Sequence, residues 1–245
     1  MQVYRRARLV VVRKFRRSIP LVLAIATAAA LGACSSGSGA TPSPTPTGSA
    51  AEQVASLARA GTAAYYTAQY ALQSATAANS ATVTIRRTPA AYRVDIVTKG
   101  SDAILLRNKA GAYSCERKTG KKATCFYVAR EGKPIPPAFD AGVQKVFGTY
   151  LALLSTSAQL YDVAAVESRP AVGALPEGRC FSVTPGASSP TQNAVAAGTY
   201  CFSNNGIPMH VVFPSGTLDI RSLALETPAP VLLLPPARAT PIPGV

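Results

Sequence analysis

The chain of 245 residues is 48% hydrophobic and 15% charged, with 25 Lys and Arg against 11 Asp and Glu, one His and no Trp. Seven of the basic residues and none of the acids fall within the first 33 positions, so half of the formal +14 belongs to a leader. The surplus on the rest of the chain is dilute, which excludes a dedicated nucleic-acid binder, whose basic residues cluster on one face.

Residues 1–33 have the three-part form of a signal peptide. A basic stretch from Arg5 to Arg17 precedes an apolar run from Ile19 to Leu31 and then small residues. That run is too short to span a bilayer comfortably. Leu31-Gly32-Ala33-Cys34 resembles the lipobox of bacterial lipoproteins, which implies that the Cys34 thiol is diacylated and becomes the mature N-terminus. Two acyl chains anchor firmly where one is marginal. After Cys34 the segment to residue 50 is Ser, Gly, Thr, Pro and Ala, including Thr41-Pro42-Ser43-Pro44-Thr45-Pro46, and is expected to be a disordered tether.

The folded domain is expected over residues 51–227. Ser49 and Glu52 form a capping-box signature, and Val54, Leu57, Ala58, Tyr65, Ala68 and Leu72 recur at helical spacing among helix-favouring alanines. Short alternating runs rich in β-branched and aromatic residues follow. They predict strands over 82–87, 91–98, 102–108, 112–117 and 123–129, separated by turn residues such as Lys99-Gly100-Ser101 and Thr119-Gly120. Connections this short imply an antiparallel meander. Beyond Ile135-Pro136-Pro137 a second helix is predicted, with Phe139, Val143, Val146, Phe147, Tyr150, Leu151 and Leu154 on one stripe. Further strands are predicted over 160–167, 179–184, 199–203, 207–213 and 217–223, with hairpin turns at Asn204-Asn205-Gly206 and Pro214-Ser215-Gly216. Residues 228–245 read as a Pro-rich C-terminal segment, its Val231–Leu234 run a candidate edge element and its last residues mobile.

Setting Cys34 aside leaves four cysteines, an even number on the oxidising side of a membrane. Four cysteines permit three connectivities. Local context favours Cys115 with Cys125 and Cys180 with Cys201, each pair lying on two short β-like runs joined by a turn. Cys115 and Cys125 are equally far from Gly120, so a hairpin turning there sets them opposite one another. A metal site is disfavoured, since there is no CxxC and only His210 could supply an imidazole. No metal and no cofactor are expected.

A capped N-terminal helix, a meander containing Tyr92-Arg93-Val94-Asp95 and Ile104-Leu105-Leu106-Arg107-Asn108, a covering helix and more meander together resemble the LolA-like superfamily, including the LppX/LprG-type mycobacterial lipoproteins. The resemblance implies an α+β fold, a curved antiparallel half-barrel sheet of about ten strands covered by two main helices, with room for lipid between them. Two hairpin disulfides depart from that pattern.

Catalysis is poorly provided for: there is no GxSxG, phosphate-cradling glycine motif or HExxH, and His210 sits in a strand. No catalytic residue is assigned. Asp95 alternates with Arg93, as in an ion pair on a solvated sheet face. The strand over 123–129 carries Cys125 and Tyr127 on one face and Phe126 and Val128 on the other, so both faces are apolar. One reading is packing on both sides; the other is a cavity for lipid or another hydrophobic molecule lidded by Phe139, Val143, Phe147, Tyr150 and Leu151. Arg117, Lys118, Lys121 and Lys122 cluster at one hairpin tip, near the turn holding Lys99, and could meet anionic headgroups or cell-wall polyanions. The expected protein is a lipid-anchored lipoprotein of the cell envelope, facing outward from the membrane, that binds or carries a hydrophobic ligand without chemistry. The alternative is an envelope interaction or sensor module with a filled core. No protein partner is identified by the sequence.

Overall fold

In the computed structural model the described residues are 48–75, 80–140, 142–190 and 193–244, and the leader, Cys34 and the tether as far as residue 47 lie outside them. Helix α1 (Ala50–Ala63) begins with the expected capping box: the Glu52 amide donates to Ser49 Oγ, and the Ser49 amide donates to Glu52 Oε2 at 2.7 Å. Its buried face is Val54, Leu57, Ala58 and Gly61.

The helix stops sooner than its alanines suggest. Tyr66–Ser74 is strand β1, and Tyr66, Ala68 and Tyr70 are buried at every second position, the period of a strand. Strand β1 is flanked on both sides, by β2 (Ser80–Thr88) and β11 (Gly216–Ala224), and a ladder on each edge overrides local helix preference.

Two meanders meet at β1. One contains β2, β3 (Ala91–Val97), β4 (Ser101–Asn108), β5 (Gly111–Lys118) and β6 (Thr124–Ala129). The other contains β7 (Tyr161–Arg169), β8 (Gly178–Pro185), β9 (Gly198–Phe202), β10 (Pro208–Phe213) and β11. A short β12 (Thr240–Pro241) adds parallel to β6, giving one mixed sheet of 12 strands in the order β12-β6-β5-β4-β3-β2-β1-β11-β10-β9-β8-β7. The expected curved half-barrel of about ten antiparallel strands is therefore incorrect. The sheet is open and not strongly curled: its end strands are β12 and β7, and the C-terminal segment extends one end instead of helping to close it.

The second helix is broken where one regular helix was predicted. A 3-10 turn (Pro137–Phe139) is followed by Gly142 at φ +58°, a left-handed conformation that ends the turn, and then by a π-helical turn (Val146–Tyr150) running into α2 (Leu151–Ser157). The apolar stripe survives the irregularity. Val143, Val146, Phe147, Tyr150, Leu151 and Leu154 are all buried, and the Phe147 ring lies 5.1 Å from Tyr70.

The two apolar faces of β6 have a structural explanation. Phe126 turns to the main core and to Phe139, whereas Tyr127 packs on Tyr113 beside Leu106 and Leu233 in a second cluster. The proline-punctuated end of the chain supplies that second layer: Asn108 Nδ2 donates to the Leu233 carbonyl at 2.9 Å, and the Ile242 amide donates to the Tyr127 carbonyl at 3.2 Å. Of the Val231–Leu234 run, all but Leu234 belong to a 3-10 turn (Pro230–Leu233), and the segment expected to be mobile contributes β12.

Candidate functional site

Strand β11 is longer than its neighbour β10, and that mismatch creates a groove. Pairing with β10 ends at His210 opposite Asp219, because Met209 is bulged and Pro208, which has no amide hydrogen, starts the strand. Beyond Asp219, Ile220–Ala224 continues to pair with β1 on its other side only. At the same end β7 and β8 carry a bulge between Val166 and Arg169. Bulges bend a strand pair, and here Arg169 Nη1 reaches Asp219 Oδ1 at 2.8 Å although three strands separate β7 from β11. The β7–β8 connection thus faces the β11 edge across an open, largely apolar groove of about 560 Å³ with Val172, Leu175, Met209 and Leu223 on its walls and Arg169 and Arg221 among its polar groups. This volume is on the scale of small-ligand sites.

His210 is part of the same clasp. Its Nδ1 lies 2.7 Å from Asp219 Oδ1, so the sole imidazole is engaged by a carboxylate that also holds Arg169. Partial burial pushes Asp219 up, but hydrogen bonds from Arg169 and His210 outweigh it and hold the carboxyl below its ordinary value. The clasp is a structural tie between the β7–β8 end and β11. Among the described residues no group of three His, Cys, Asp or Glu side chains could hold a metal ion.

A second polar cluster lies under the π turn. Arg87 is buried on the core face of β2, where its Nε donates to the Thr62 carbonyl at 3.3 Å, its Nη1 to the Phe147 carbonyl at 2.5 Å, and its guanidinium carbon sits 5.2 Å from the centre of the Tyr92 ring. Gly148 lies against that ring, and a Cβ there would strike the Tyr92 hydroxyl. Burial pushes Tyr66 and Tyr92 up to about 12.

Nearby, Asp140 is 2% exposed; Thr149 Oγ1 donates to its Oδ2 at 2.5 Å, while Oδ1 has no hydrogen-bond partner. Burial raises its pKa against the opposing effects of Thr149, Lys145 and Arg107. A carboxyl with a raised native pKa favours folding most below the unfolded value near 4, and that advantage is lost as pH rises through the native value. Asp140→Asn should therefore stabilise the protein by about 1 kcal/mol at pH 7. The gain should vanish towards pH 4 in a series of urea titrations.

The two favoured disulfides are present, Cys115–Cys125 across β5–β6 and Cys180–Cys201 across β8–β9, each pair in direct register. Arg93 pairs with Asp95 at 2.8 Å, and Arg86 joins from the opposite strand at 2.5 Å. One carboxylate thereby offsets two arginines that face each other across β2–β3.

Of the predicted cavity residues, Val143, Phe147, Tyr150 and Leu151 are in the main core and Phe139 is half-buried against it; the groove beside β11 is lined by none of them. In the basic cluster Arg117 is paired with Asp102, while Lys118, Lys121 and Lys122 are exposed at the tip. The Thr119 amide bonds the Gly100 carbonyl at 3.2 Å, which brings the Lys99 turn alongside. Cys34 lies outside the described residues. The groove was missed from sequence. Its available signal is the run Pro170–Pro176, in which Val172 and Leu175 stand between prolines and no side chain is polar.

No family model and no curated protein sequence matches the chain. Among solved structures it is similar to MucB, with 14% identity and a TM-score of 0.46 over 78% of this chain and 64% of that one. A Pseudomonas aeruginosa MucA/MucB complex gives 14% identity and a TM-score of 0.46 over 77% and 61%. A DUF1329 family protein from Desulfovibrio piger gives 7% identity and a TM-score of 0.33 over 72% and 92%. The chain spans less than two thirds of the length of those MucB chains. No family model stands behind the LolA-like pattern.

Proposed function

We propose that the protein is a non-catalytic interaction module, held at the outward face of a cell membrane by acyl chains on Cys34 and presented on the tether that follows. Two disulfides within one sheet support an oxidising compartment, and the Leu31-Gly32-Ala33-Cys34 motif supports the anchor. The observation that carries the interaction reading is the filled interior. Phe147, Leu151 and Leu154 are at most 1% exposed and belong to the same packed core as Tyr70, Phe181 and Tyr200. The groove beside β11 lies at the surface, as does a smaller recess at the β2–β3 turn lined by Thr88, Pro89 and Ala90. Lys118, Lys121 and Lys122 belong to this reading as a contact to anionic headgroups or cell-wall polyanions near the anchor.

One observation favours a second reading, the binding of a hydrophobic small molecule: the groove of about 560 Å³ beside β11 is largely apolar. Organic extraction of the full-length protein from its native host, followed by lipid mass spectrometry, separates the two. The interaction reading expects acyl chains covalently attached at Cys34 and no other lipid in stoichiometric amount. A stoichiometric, non-covalent lipid overturns it in favour of carriage.

A further inference from the structure

The groove beside β11 occupies the place in the sheet that β10 leaves empty. The geometry points to its occupant: an extended peptide segment of a partner protein, with apolar side chains at alternate positions and an acidic residue among them, adding as a strand to Ile220–Ala224. This inference rests on the interaction reading above and names the surface and the chemistry of the partner.

Backbone hydrogen bonding makes the first argument. Among the described residues, Ile220–Ala224 pairs with β1 alone, leaving a run of amide and carbonyl groups along its other edge. Such groups are satisfied by water or by another strand. An acyl chain offers them neither donor nor acceptor. The vacancy is fixed by the fold, because the chain entering β10 comes from the β9–β10 turn, whose Gly206 is lodged against α1.

Side-chain chemistry makes the second argument. A strand laid on this edge sends alternate side chains to opposite sides, and the groove offers the β7–β8 connection, with Leu175 half-buried and Val172 66% exposed, as an apolar wall. Leu225, 60% exposed, extends the apolar surface past the end of β11. Arg221 stands at the bulge where pairing shifts from Tyr70 opposite Ile220 to Gln69 opposite Ser222. It is exposed and has no ion-pair partner among the described residues, in contrast to Arg169, which Asp219 already holds. A cation at the rim of an edge-strand groove selects an acidic residue in the incoming segment. Main-chain bonds then supply affinity and the apolar wall with Arg221 supplies selectivity.

The test uses the full-length protein in detergent micelles. The probe is a pooled library of twelve-residue peptides that alternate Val, Ile or Phe with Glu or Thr, and hydrogen exchange is read at Ile220–Ala224. Bound peptides should slow exchange there, lose binding when their backbone is N-methylated at alternate positions, and bind Arg221→Glu about tenfold more weakly. Arg221→Lys should restore most of that loss. Binding by no member of the library overturns the inference, as does binding that survives N-methylation. Protection confined to the β7 edge overturns it too while leaving the interaction reading in place. A stoichiometric lipid recovered by the extraction above removes the interaction reading itself, so the two failures are distinguishable.

Discussion

Replacing Arg87 by Ala should cost about 3 to 4 kcal/mol of folding free energy, a large part of the 5–15 kcal/mol typical of a domain. The size follows from what the guanidinium ties together. It bonds the Thr62 carbonyl near the end of α1 and the Phe147 carbonyl of the π turn, and it rests on Tyr92. Three separate pieces of chain, the end of α1, the π turn and the β2–β3 hairpin, are therefore held by one side chain 7% exposed. Removing it leaves two carbonyls without their donors, and each unsatisfied buried group costs about 1–3 kcal/mol. The packing of the aliphatic stem and ring face is lost as well. Arg87→Lys keeps the charge but offers a compact ammonium in place of a planar fork, so it cannot serve both carbonyls with the same geometry. It should recover about half of the loss. Urea denaturation with both disulfides intact measures this as a shift in midpoint at unchanged slope. A loss under 1 kcal/mol for Arg87→Ala would show that the fork does not organise the helical layer.

How far the sequence reaches is clearest in the hairpins. Cys115 and Cys125 face each other because their equal distance from Gly120 is a statement about antiparallel register, and register follows from turn position. The strands of both meanders were legible for the same reason: alternation and turn chemistry are local. Tyr66–Ser74 was not. Its Tyr66, Ala68, Tyr70, Leu72 alternation competes with an alanine background that favours helix, and what decides the contest is pairing with Arg87 at one edge and with Leu223 at the other, both remote in sequence. Strand β12 was illegible because its strand identity comes from the β6 edge it joins.

The groove was hidden for a related reason. Its walls depend on bulges at Val166/Arg169, at Pro208/His210 and at Ile220/Ser222, and a bulge is one extra residue that hydrophobic alternation does not announce. The five residues Phe139, Val143, Phe147, Tyr150 and Leu151 were legible as an apolar stripe and not as core or lid, since both demand the same side chains. Packing decides between them: Tyr70 on β1 and Tyr200 on β9 fill the space against Phe147 and Tyr150.

Gly206→Ala should destabilise the protein by about 3 kcal/mol or more, and two companion substitutions separate its causes. Gly206 has φ +74°, a conformation that costs a non-glycine residue on the order of 1 kcal/mol. A Cβ there would also run into the Leu57 carbonyl oxygen and lie 2.4 Å from the Gly61 nitrogen, so α1 would have to move off the β9–β10 turn. Gly120 provides the backbone control. It has nearly the same angle, φ +73°, at an exposed hairpin tip where a Cβ meets nothing within 4 Å. Gly120→Ala should lose only about 1 kcal/mol, the conformational part. Gly61 provides the packing control from the opposite side of the contact. It lies inside α1, where Ala in place of Gly ordinarily gains about 1 kcal/mol. Its Cβ would nevertheless collide with the Gly206 carbonyl oxygen, so Gly61→Ala should destabilise despite the better helix former. Because both substitutions push the same two segments apart, the double variant should lose less than the sum of the singles. Additive losses, or a net gain for Gly61→Ala, would mean that α1 is not seated on the turn that starts β10, and the vacancy beside β11 would lose its fixed end.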